Sequence, residues 1–253
     1  MEKLEKDQLF LLATELDLPQ LLKFCRMNKK INELVCNRDD IWLYKLNKEF
    51  PDYRISSYKK IYETLYIRGL ETIKIIFKLD YNLDELYNLQ ELSLGSNQIK
   101  EIPKEIPKEI GQLQNLQKLD LYNIGIREIP KEIGQLQNLQ ELWLSGNQIK
   151  EIPQEIGQLQ NLQYLNLSGN QIRGIPQEIG QLQNLQHLEL GDNQISEIPQ
   201  EIGQLQELSL NNNQIKEIPK EIGQLQKLKK LYLYNNEIRE IPEFVNSNTK
   251  VYI

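Results

Sequence analysis

Histidine, cysteine and tryptophan are scarce in this chain of 253 residues, which contains one, two and two of them. Cys25, Cys36 and His187 cannot supply the four ligands of a zinc finger. Two cysteines in this length also make no disulfide scaffold, so we expect a reducing compartment. The composition therefore predicts neither a metal centre nor a disulfide-stabilised secreted domain, and no cofactor is expected.

An excess of positive charge and a long apolar run are also missing. The 30 Lys and Arg residues face 36 Asp and Glu residues, whereas nucleic-acid binding needs clustered basic residues. The apolar run Leu9–Ala13 is far too short to span a membrane, and the mixed charges of Met1–Asp7 do not resemble a signal peptide. We therefore predict a soluble, cytoplasmic protein that binds neither nucleic acid nor membranes.

The sequence does contain one phrase repeated seven times. It has the form LxxLxLxxNxIxxIPxxIGxLxx and a period of 23 residues. One spacing is lengthened to 27 by a duplicated Lys-Glu-Ile-Pro, and one is shortened to 20 by a missing Asn-Leu-Gln after Gln206. Repetition of this kind predicts stacked units that bury a continuous core. The copies begin at Leu89, Leu116, Leu139, Leu162, Leu185, Leu205 and Leu228.

Each part of the phrase has a structural interpretation. In Leu165-Asn166-Leu167 the alternation predicts a short strand whose leucines point into the core. Asn170 is expected to bond backbone groups of adjacent turns, which would form an asparagine ladder along the stack. The second copy has Ile124 at the ladder position, so we expect an altered turn there and an irregular stack between residues 99 and 127.

Both ends of the array are expected to be degenerate copies. Leu70–Ile75 keeps the leucine spacing but has Lys78 at the ladder position. Val251–Ile253 is predicted to be a last edge strand, with a fraying tail as the alternative. Exposed edges pair with other chains, so the C-terminal edge is a candidate site of self-association.

The outward positions beside the strand leucines differ from copy to copy, whereas the core positions do not. We call these outward positions the sheet face; in this architecture they line the concave side. An aromatic diagonal of Tyr122, Trp143, Tyr164 and His187 is expected to cross it, flanked by acidic residues that include Asp120 and Asp192. Aromatic anchors with a charged rim are typical of interface hot spots, which predicts a protein target and favours a basic one. The predicted target-binding residues are Tyr122, Glu141, Trp143, Tyr164, His187, Glu189 and Tyr232.

Two other interpretations of the sheet face stay open. Its side chains could be solvated and have no partner. His187, Glu189 and Asp192 could form an acid–base or metal centre, but an open sheet excludes little water and offers no nucleophile. We therefore predict a binding protein and not an enzyme.

The phrase Ile-Pro-Lys-Glu-Ile-Gly-Gln-Leu-Gln-Asn-Leu resembles the 23-residue typical leucine-rich repeats of Ras-associated and polarity scaffolds, and of bacterial and viral effectors. The resemblance covers roughly residues 70–245. It implies an α/β solenoid, a horseshoe that binds proteins and catalyses nothing. For an effector, the compartment would be the cytoplasm of the host cell.

Residues 1–68 have no such period, and their apolar spacing predicts an all-helical domain before the repeat domain of residues 69–253. Its last helix is expected to be capped by Ser56 or Ser57 and to run through Tyr66. The plain interpretation is a cap on the first repeat, with Cys25 and Cys36 as buried packing groups. The preceding helices are predicted at Asp7–Leu16, Gln20–Met27, Lys29–Val35 and Asp39–Phe50.

The segment Leu18–Leu34, followed by Asp39-Asp40-Ile41-Trp42, resembles an F-box, although the usual opening Leu-Pro is replaced by Lys6-Asp7-Gln8-Leu9. An F-box before leucine-rich repeats is a known family order, and it implies a substrate adaptor of a Skp1–cullin ubiquitin ligase. The alternative is a plain scaffold or inhibitor whose helices only cap the solenoid. The resemblance assigns contacts with a Skp1-like subunit to Leu9, Leu12, Leu16, Leu18 and Leu22.

Overall fold

The computed structural model describes residues 58–95, 105–203, 205–245 and 248–253. Backbone contacts divide the chain into two units, residues 1–69 and 70–253, and the second unit holds all eight strands of the described residues. The helices predicted before residue 58 lie outside the described residues, as do both cysteines. The F-box-like domain therefore stays a prediction, as do its Skp1-contacting residues Leu9, Leu12, Leu16, Leu18 and Leu22.

Helix α1, Tyr58–Ile76, corrects two predictions. The last N-terminal helix does not end at Tyr66, and the segment from residue 70 to 75 is helical instead of a degenerate repeat. The three-residue spacing of Leu70 and Ile73 fits a helix as well as a repeat, and both residues are buried. A repeat would also bury Ile75, which is 74% exposed. The burial of Leu70 and Ile73 and the exposure of Ile75 therefore follow the period of a helix and not that of a repeat strand.

Lys78, predicted at a ladder position, belongs to the end of helix α1 instead. Its φ of 50° is left-handed. Leu79 N donates to Lys74 O at 2.9 Å, and Lys78 N donates to Ile75 O at 3.2 Å. These two bonds form a Schellman cap, which satisfies carbonyl groups that the helix end would otherwise leave unpaired.

Helix α2, Leu83–Tyr87, connects α1 to the first repeat. It begins with a capping box, in which the Asn82 side chain accepts from Glu85 N and the Glu85 carboxylate accepts from Asn82 N, at 2.9 and 2.8 Å. The box satisfies two backbone donors of the first turn. Within the described residues, no helix has the length and apolarity needed to cross a membrane.

The repeats carry short parallel strands, as predicted. Each strand has three residues, and the middle residue of β1–β7 is a buried leucine. The strands pair in chain order in one sheet, with each leucine opposite the next, as Leu142 is opposite Leu165. The sheet is built from β1 (Glu91–Ser93), β2 (Lys118–Asp120), β3 (Glu141–Trp143), β4 (Tyr164–Asn166), β5 (His187–Glu189), β6 (Glu207–Ser209), β7 (Lys230–Tyr232) and β8 (Lys250–Tyr252).

The return segment of a regular copy contains a five-residue 3-10 helix that follows a proline. The fixed φ of proline suits a helix start. The shortened copy differs, because no 3-10 helix forms at its described residues 199–203 and Gly203 has a φ of 83°. The three-residue deletion in this copy thus alters its return segment, whereas the strand that follows, Glu207–Ser209, still forms. The 3-10 helices are Lys108–Gln112, Lys131–Gln135, Gln154–Gln158, Gln177–Gln181 and Lys220–Gln224.

The predicted asparagine ladder is confirmed in five copies. Asn170 shows the pattern: its Oδ1 accepts from Ile149 N at 3.0 Å, and its Nδ2 donates to Leu144 O at 3.0 Å and Leu167 O at 2.9 Å. One side chain therefore bonds the backbones of two neighbouring copies. Asn97 lies outside the described residues, and the other ladder residues are Asn147, Asn193, Asn213 and Asn236.

The turn at Ile124 differs from the others, as predicted. Ile124 is buried, and its backbone N donates to Asn147 Oδ1 at 3.2 Å, which also accepts from Ile126 N at 2.9 Å. The next residue, Gly125, has a φ of 82°, whereas the copies with a ladder asparagine have glutamine or glutamate there. In this turn Asn147 Oδ1 thus accepts from two backbone N atoms, whereas Asn170 Oδ1 accepts from Ile149 N. Residues 96–104, which include most of the duplicated segment, lie outside the described residues.

Strand β8 lies at the end of the sheet and confirms the predicted edge strand, with one shift. It begins at Lys250 and ends before Ile253, so it is displaced by one residue from the predicted segment. Val251 pairs with Leu231 and occupies the leucine row. Self-association through this edge stays a prediction.

Candidate functional site

The register of the strands aligns the sheet face in two rows. Neighbouring strands lie about 4.8 Å apart, so adjacent members of a row are within side-chain reach. The first row runs Glu91, Lys118, Glu141, Tyr164, His187, Glu207, Lys230, Lys250. The second row runs Ser93, Asp120, Trp143, Asn166, Glu189, Ser209, Tyr232, Tyr252.

Three of the predicted aromatic residues lie in contact on neighbouring strands and form what we call the aromatic cluster: Trp143, Tyr164 and His187. The Trp143 and Tyr164 rings are stacked, with centroids 4.2 Å apart and planes at 24°. The centroids of Tyr164 and His187 lie 5.8 Å apart, with planes at 36°. Such pairs contribute about 0.5–1.5 kcal/mol beyond the burial of their area. The three rings therefore hold one another in place across strands β3–β5.

The other predicted aromatic residues lie apart from the cluster. Tyr122 is 45% exposed at the turn after β2, where its ring lies beside Gly146. The ring contacts of the cluster, among the described residues, do not include it, so the predicted diagonal of four is a cluster of three. Tyr232 stacks on Tyr252, with centroids 4.5 Å apart and planes at 11°. We call this second aromatic group the tyrosine pair.

Glu141 joins the aromatic cluster to a lysine on β2. Its Oε2 accepts from Trp143 Nε1 at 3.1 Å and forms an ion pair with Lys118 Nζ at 3.3 Å. The same Nζ lies 5.7 Å from the centroid of the Trp143 ring, which is within the range of a cation–π contact. The negative charge of Glu141 is therefore balanced within the chain.

Glu189 is held by neutral groups. Its Oε1 accepts from the Tyr164 hydroxyl at 2.6 Å, and its Oε2 accepts from Asn166 Nδ2 at 2.9 Å. Burial raises the pKa of the Tyr164 hydroxyl above its ordinary value, and the hydrogen bond to Glu189 raises it further. The ion pairs of the described residues do not include Glu189. This carboxylate therefore keeps an unbalanced negative charge beside the cluster.

Glu207 lies on the other side of the cluster, between a histidine and a lysine. Its Oε2 lies 3.7 Å from His187 Nδ1 and 3.1 Å from Lys230 Nζ. The hydrogen bond to Glu207 raises the pKa of the Lys230 ammonium group, although exposed pairs of this kind contribute little to stability. Glu207 is thus balanced by a lysine, as Glu141 is.

The predicted rim residues Asp120 and Asp192 also have neutral donors. Asp120 accepts from Ser93 Oγ and Tyr122 N, at 3.2 and 3.0 Å, and Asp192 accepts from Asn212 Nδ2 at 2.7 Å. For the alternative of a metal centre, the described residues offer no group of three or more His, Cys, Asp or Glu side chains placed to hold an ion.

Five residues outside the predicted set complete the contacts of the sheet face. Most of them occupy sheet-face positions that the alignment of the repeat copies had already identified. Tyr252 lies in a segment that lacks the leucines of the repeat phrase, with Val251 opposite Leu231. The target-binding roles of the seven residues predicted from the sequence stay predictions. The five are Lys118, Asn166, Glu207, Lys230 and Tyr252.

Several solved structures are similar to this chain. A leucine-rich repeat protein of Leptospira interrogans is 37% identical, with a TM-score of 0.61, over 73% of this chain and 56% of that one. The plant peptide hormone receptor RGFR1 in complex with RGF2 is 38% identical, with a TM-score of 0.56, over 60% and 26%. An internalin from Listeria monocytogenes is 30% identical, with a TM-score of 0.57, over 66% and 48%. The chain therefore spans between about a quarter and just over half of the length of these proteins.

Family comparison assigns the repeats. A model of a leucine-rich repeat region matches residues 67–163 and 154–210, and a model of two leucine-rich repeat copies matches residues 204–246. A search of curated proteins found no match. Since the first model covers more than half of the sequence, the chain belongs to the leucine-rich repeat family.

Proposed function

We propose that the sheet face binds a protein partner and that the aromatic cluster is its anchor. Proteins of this family are generally non-enzymatic binding scaffolds. The observation that carries the proposal is the aromatic cluster, in which hydrogen bonds to carboxylates on a polar face fix Trp143 and Tyr164 and the His187 ring lies against Tyr164. Aromatic side chains that are already ordered lose little entropy on binding, and such residues dominate interface hot spots.

The charge of the sheet face favours a basic partner. Over strands β1–β8 the two rows present five carboxylates and three lysines. A positive partner would be steered towards this region and would be preferred over an acidic one. The proposed contact residues are Tyr122, Glu141, Trp143, Tyr164, His187, Glu189 and Tyr232.

A displayed library of random 12-residue peptides, selected on the full chain, tests this proposal. We expect binders whose affinity falls at least tenfold on Trp143→Ala, because the anchor is removed. The variant should stay folded, since Trp143 is a half-buried residue of the sheet face and not a core residue. Tyr81→Ala removes an exposed tyrosine outside the repeats and should change nothing. An empty selection, or binders that ignore Trp143→Ala, would contradict the proposal.

A finer proposal rests on the F-box resemblance alone. The N-terminal segment would recruit a Skp1-like ligase subunit in the cytoplasm, and the repeats would present the target for ubiquitination. A plain scaffold or inhibitor explains the repeats equally well. Co-precipitation with a Skp1-like protein, comparing the full chain with a Leu18→Asp, Leu22→Asp variant, separates the two. Binding that the variant loses supports the adaptor, and no binding by the folded full chain rejects it.

A further inference from the structure

We infer that the segment recognised by the sheet face is an extended, polyproline-like peptide with the pattern apolar-x-x-basic-x-x-apolar, lying across strands β3–β7. This inference rests on the proposed function and names its ligand class. Three members of the second row carry it: Trp143 on β3, Glu189 on β5 and Tyr232 on β7. They are an aromatic anchor, an unbalanced carboxylate and a second aromatic anchor.

The spacing of these three residues selects the peptide conformation. Each lies two strands from the next, so the intervals are about 9.6 Å. A polyproline II helix has three residues per turn and a rise of about 3.1 Å per residue, which places every third side chain on one face about 9.3 Å apart. A β-strand ligand would repeat its face about every 6.8 Å. The polyproline period therefore fits both intervals, whereas the β-strand period fits neither.

The middle position of the ligand is determined by charge. Glu141 and Glu207 are each paired with a lysine, but the partners of Glu189 are a hydroxyl and an amide. A basic side chain over Glu189 would therefore meet an unbalanced carboxylate. It would also lie beside the Tyr164 and His187 rings, and cations are attracted to aromatic faces.

The outer positions are determined by the two aromatic groups and by the small residue Ser209 between them. The aromatic cluster presents Trp143 at one end, and the tyrosine pair presents Tyr232 and the 40% exposed Tyr252 at the other. The intervening strand β6 contributes Ser209, whose Oγ donates to Asn211 Oδ1 at 2.7 Å. A short, internally bonded side chain leaves room for the residues marked x.

Fluorescence anisotropy with synthetic peptides on the full chain tests the pattern. The matched probe is a labelled 11-residue proline-rich peptide with leucines at its positions 3 and 9 and arginine at position 6. One control peptide has the arginine at position 5, and another has glutamine at position 6. We expect each control to bind at least tenfold more weakly than the matched probe in physiological salt.

A protein variant that removes the negative charge of Glu189 then tests whether this carboxylate recognises the arginine. Glu189→Gln keeps an acceptor for Tyr164, and it should weaken the matched probe about tenfold and abolish the preference for arginine over glutamine. Glu155→Gln removes the same charge from a 3-10 helix of the return segment and should leave the preference unchanged. Tyr232→Ala should weaken the matched probe and should have little effect on a peptide lacking the leucine at position 9.

The possible outcomes separate this inference from the proposed function. Equal binding of the shifted peptide, an arginine preference that survives Glu189→Gln, or no binding of the matched probe at about 1 mM overturns the inference. Library binders of another pattern that still depend on Trp143 would, in that case, leave the proposed function standing. Binders that are indifferent to Trp143→Ala would overturn both.

Discussion

The repeats contain two hydrogen-bonded networks that are built in opposite ways. In the framework, made of the strand leucines and ladder asparagines, the same bonds recur in every regular copy, as Asn170 and Asn193 show. On the sheet face the contacts differ from strand to strand, as the bond between Tyr164 and Glu189 shows. Information for the fold is therefore distributed over the copies, whereas information for binding is local. One network can change without the other.

The framework also overlaps from copy to copy. Leu144 O accepts from both Asn147 and Asn170, and Leu167 O accepts from both Asn170 and Asn193. Loss of one asparagine therefore leaves each carbonyl with a second donor. The backbone N of the preceding copy has no such duplicate, because it relies on a single Oδ1. The cost of breaking the framework should come mainly from that one donor.

The largest expected effect is on the ladder. Asn170→Ile copies the residue found at Ile124 into a regular turn, and it leaves Ile149 N buried without its acceptor. An orphaned buried donor costs about 1–3 kcal/mol, so we expect the free energy of unfolding in urea to fall by about 2–3 kcal/mol. Asn161→Ala is the matched control, since this exposed asparagine donates to one carbonyl, Gln137 O. If Asn170→Ile lowered the free energy of unfolding by less than Asn161→Ala does, the ladder would be dispensable.

A smaller effect is expected at the exceptional turn. Gly125 has a φ of 82°, and a Cβ built on it would meet no atom within 4 Å. Gly125→Ala therefore isolates the backbone strain, which is about 1–2 kcal/mol for a left-handed residue. Gly174 has equally open surroundings without a positive φ, so Gly174→Ala should be neutral or slightly stabilising. Equal unfolding midpoints for the two variants would contradict this account of the turn.

The sequence predicted the framework well because its signals are repeated. The leucine alternation and the ladder asparagines are copied in phase, so each copy supports the interpretation of the others. At the N-terminal end one copy had to be interpreted alone, and there the spacing of Leu70 and Ile73 fits a helix and a repeat equally. Only the exposure of Ile75 and the Schellman cap at Lys78 decide in favour of the helix.

The sheet face was predictable in position but not in pairing. Repeat alignment placed Trp143, Tyr164 and His187 on the same surface. It could not show that Tyr122 lies apart at a turn, or that Glu189 has neutral partners while Glu141 has a lysine. The partner that each side chain takes depends on side-chain rotamers and on diagonal contacts between strands. A pattern of residue types at fixed positions does not contain them.

The smallest expected effect on stability is on the sheet face, and it depends on pH. Tyr164→Phe removes the hydrogen bond to Glu189 Oε1 and a longer one from Asn166 Nδ2, at 2.6 and 3.4 Å, and we expect a loss of about 1 kcal/mol near neutral pH. The pKa of Tyr164 is raised by burial and by Glu189, so the native state keeps the proton when the unfolded state loses it near pH 10. The unfolding free energy of the wild-type chain therefore decreases as pH rises above about 10. The Tyr164→Phe variant lacks the pH-dependent contribution of this hydroxyl to the unfolding free energy.

Urea unfolding at about pH 9 and pH 11 measures this difference. The wild-type chain should lose more stability between the two pH values than Tyr164→Phe does, because the other tyrosines contribute equally to both proteins. Tyr122→Phe keeps the bond between Tyr164 and Glu189 and should follow the wild type. A Tyr164→Phe profile parallel to the wild-type one would mean that the bond does not hold the hydroxyl proton in solution. In that case Asn166 alone would hold Glu189 beside the cluster, and the sheet face would be less ordered before its partner arrives.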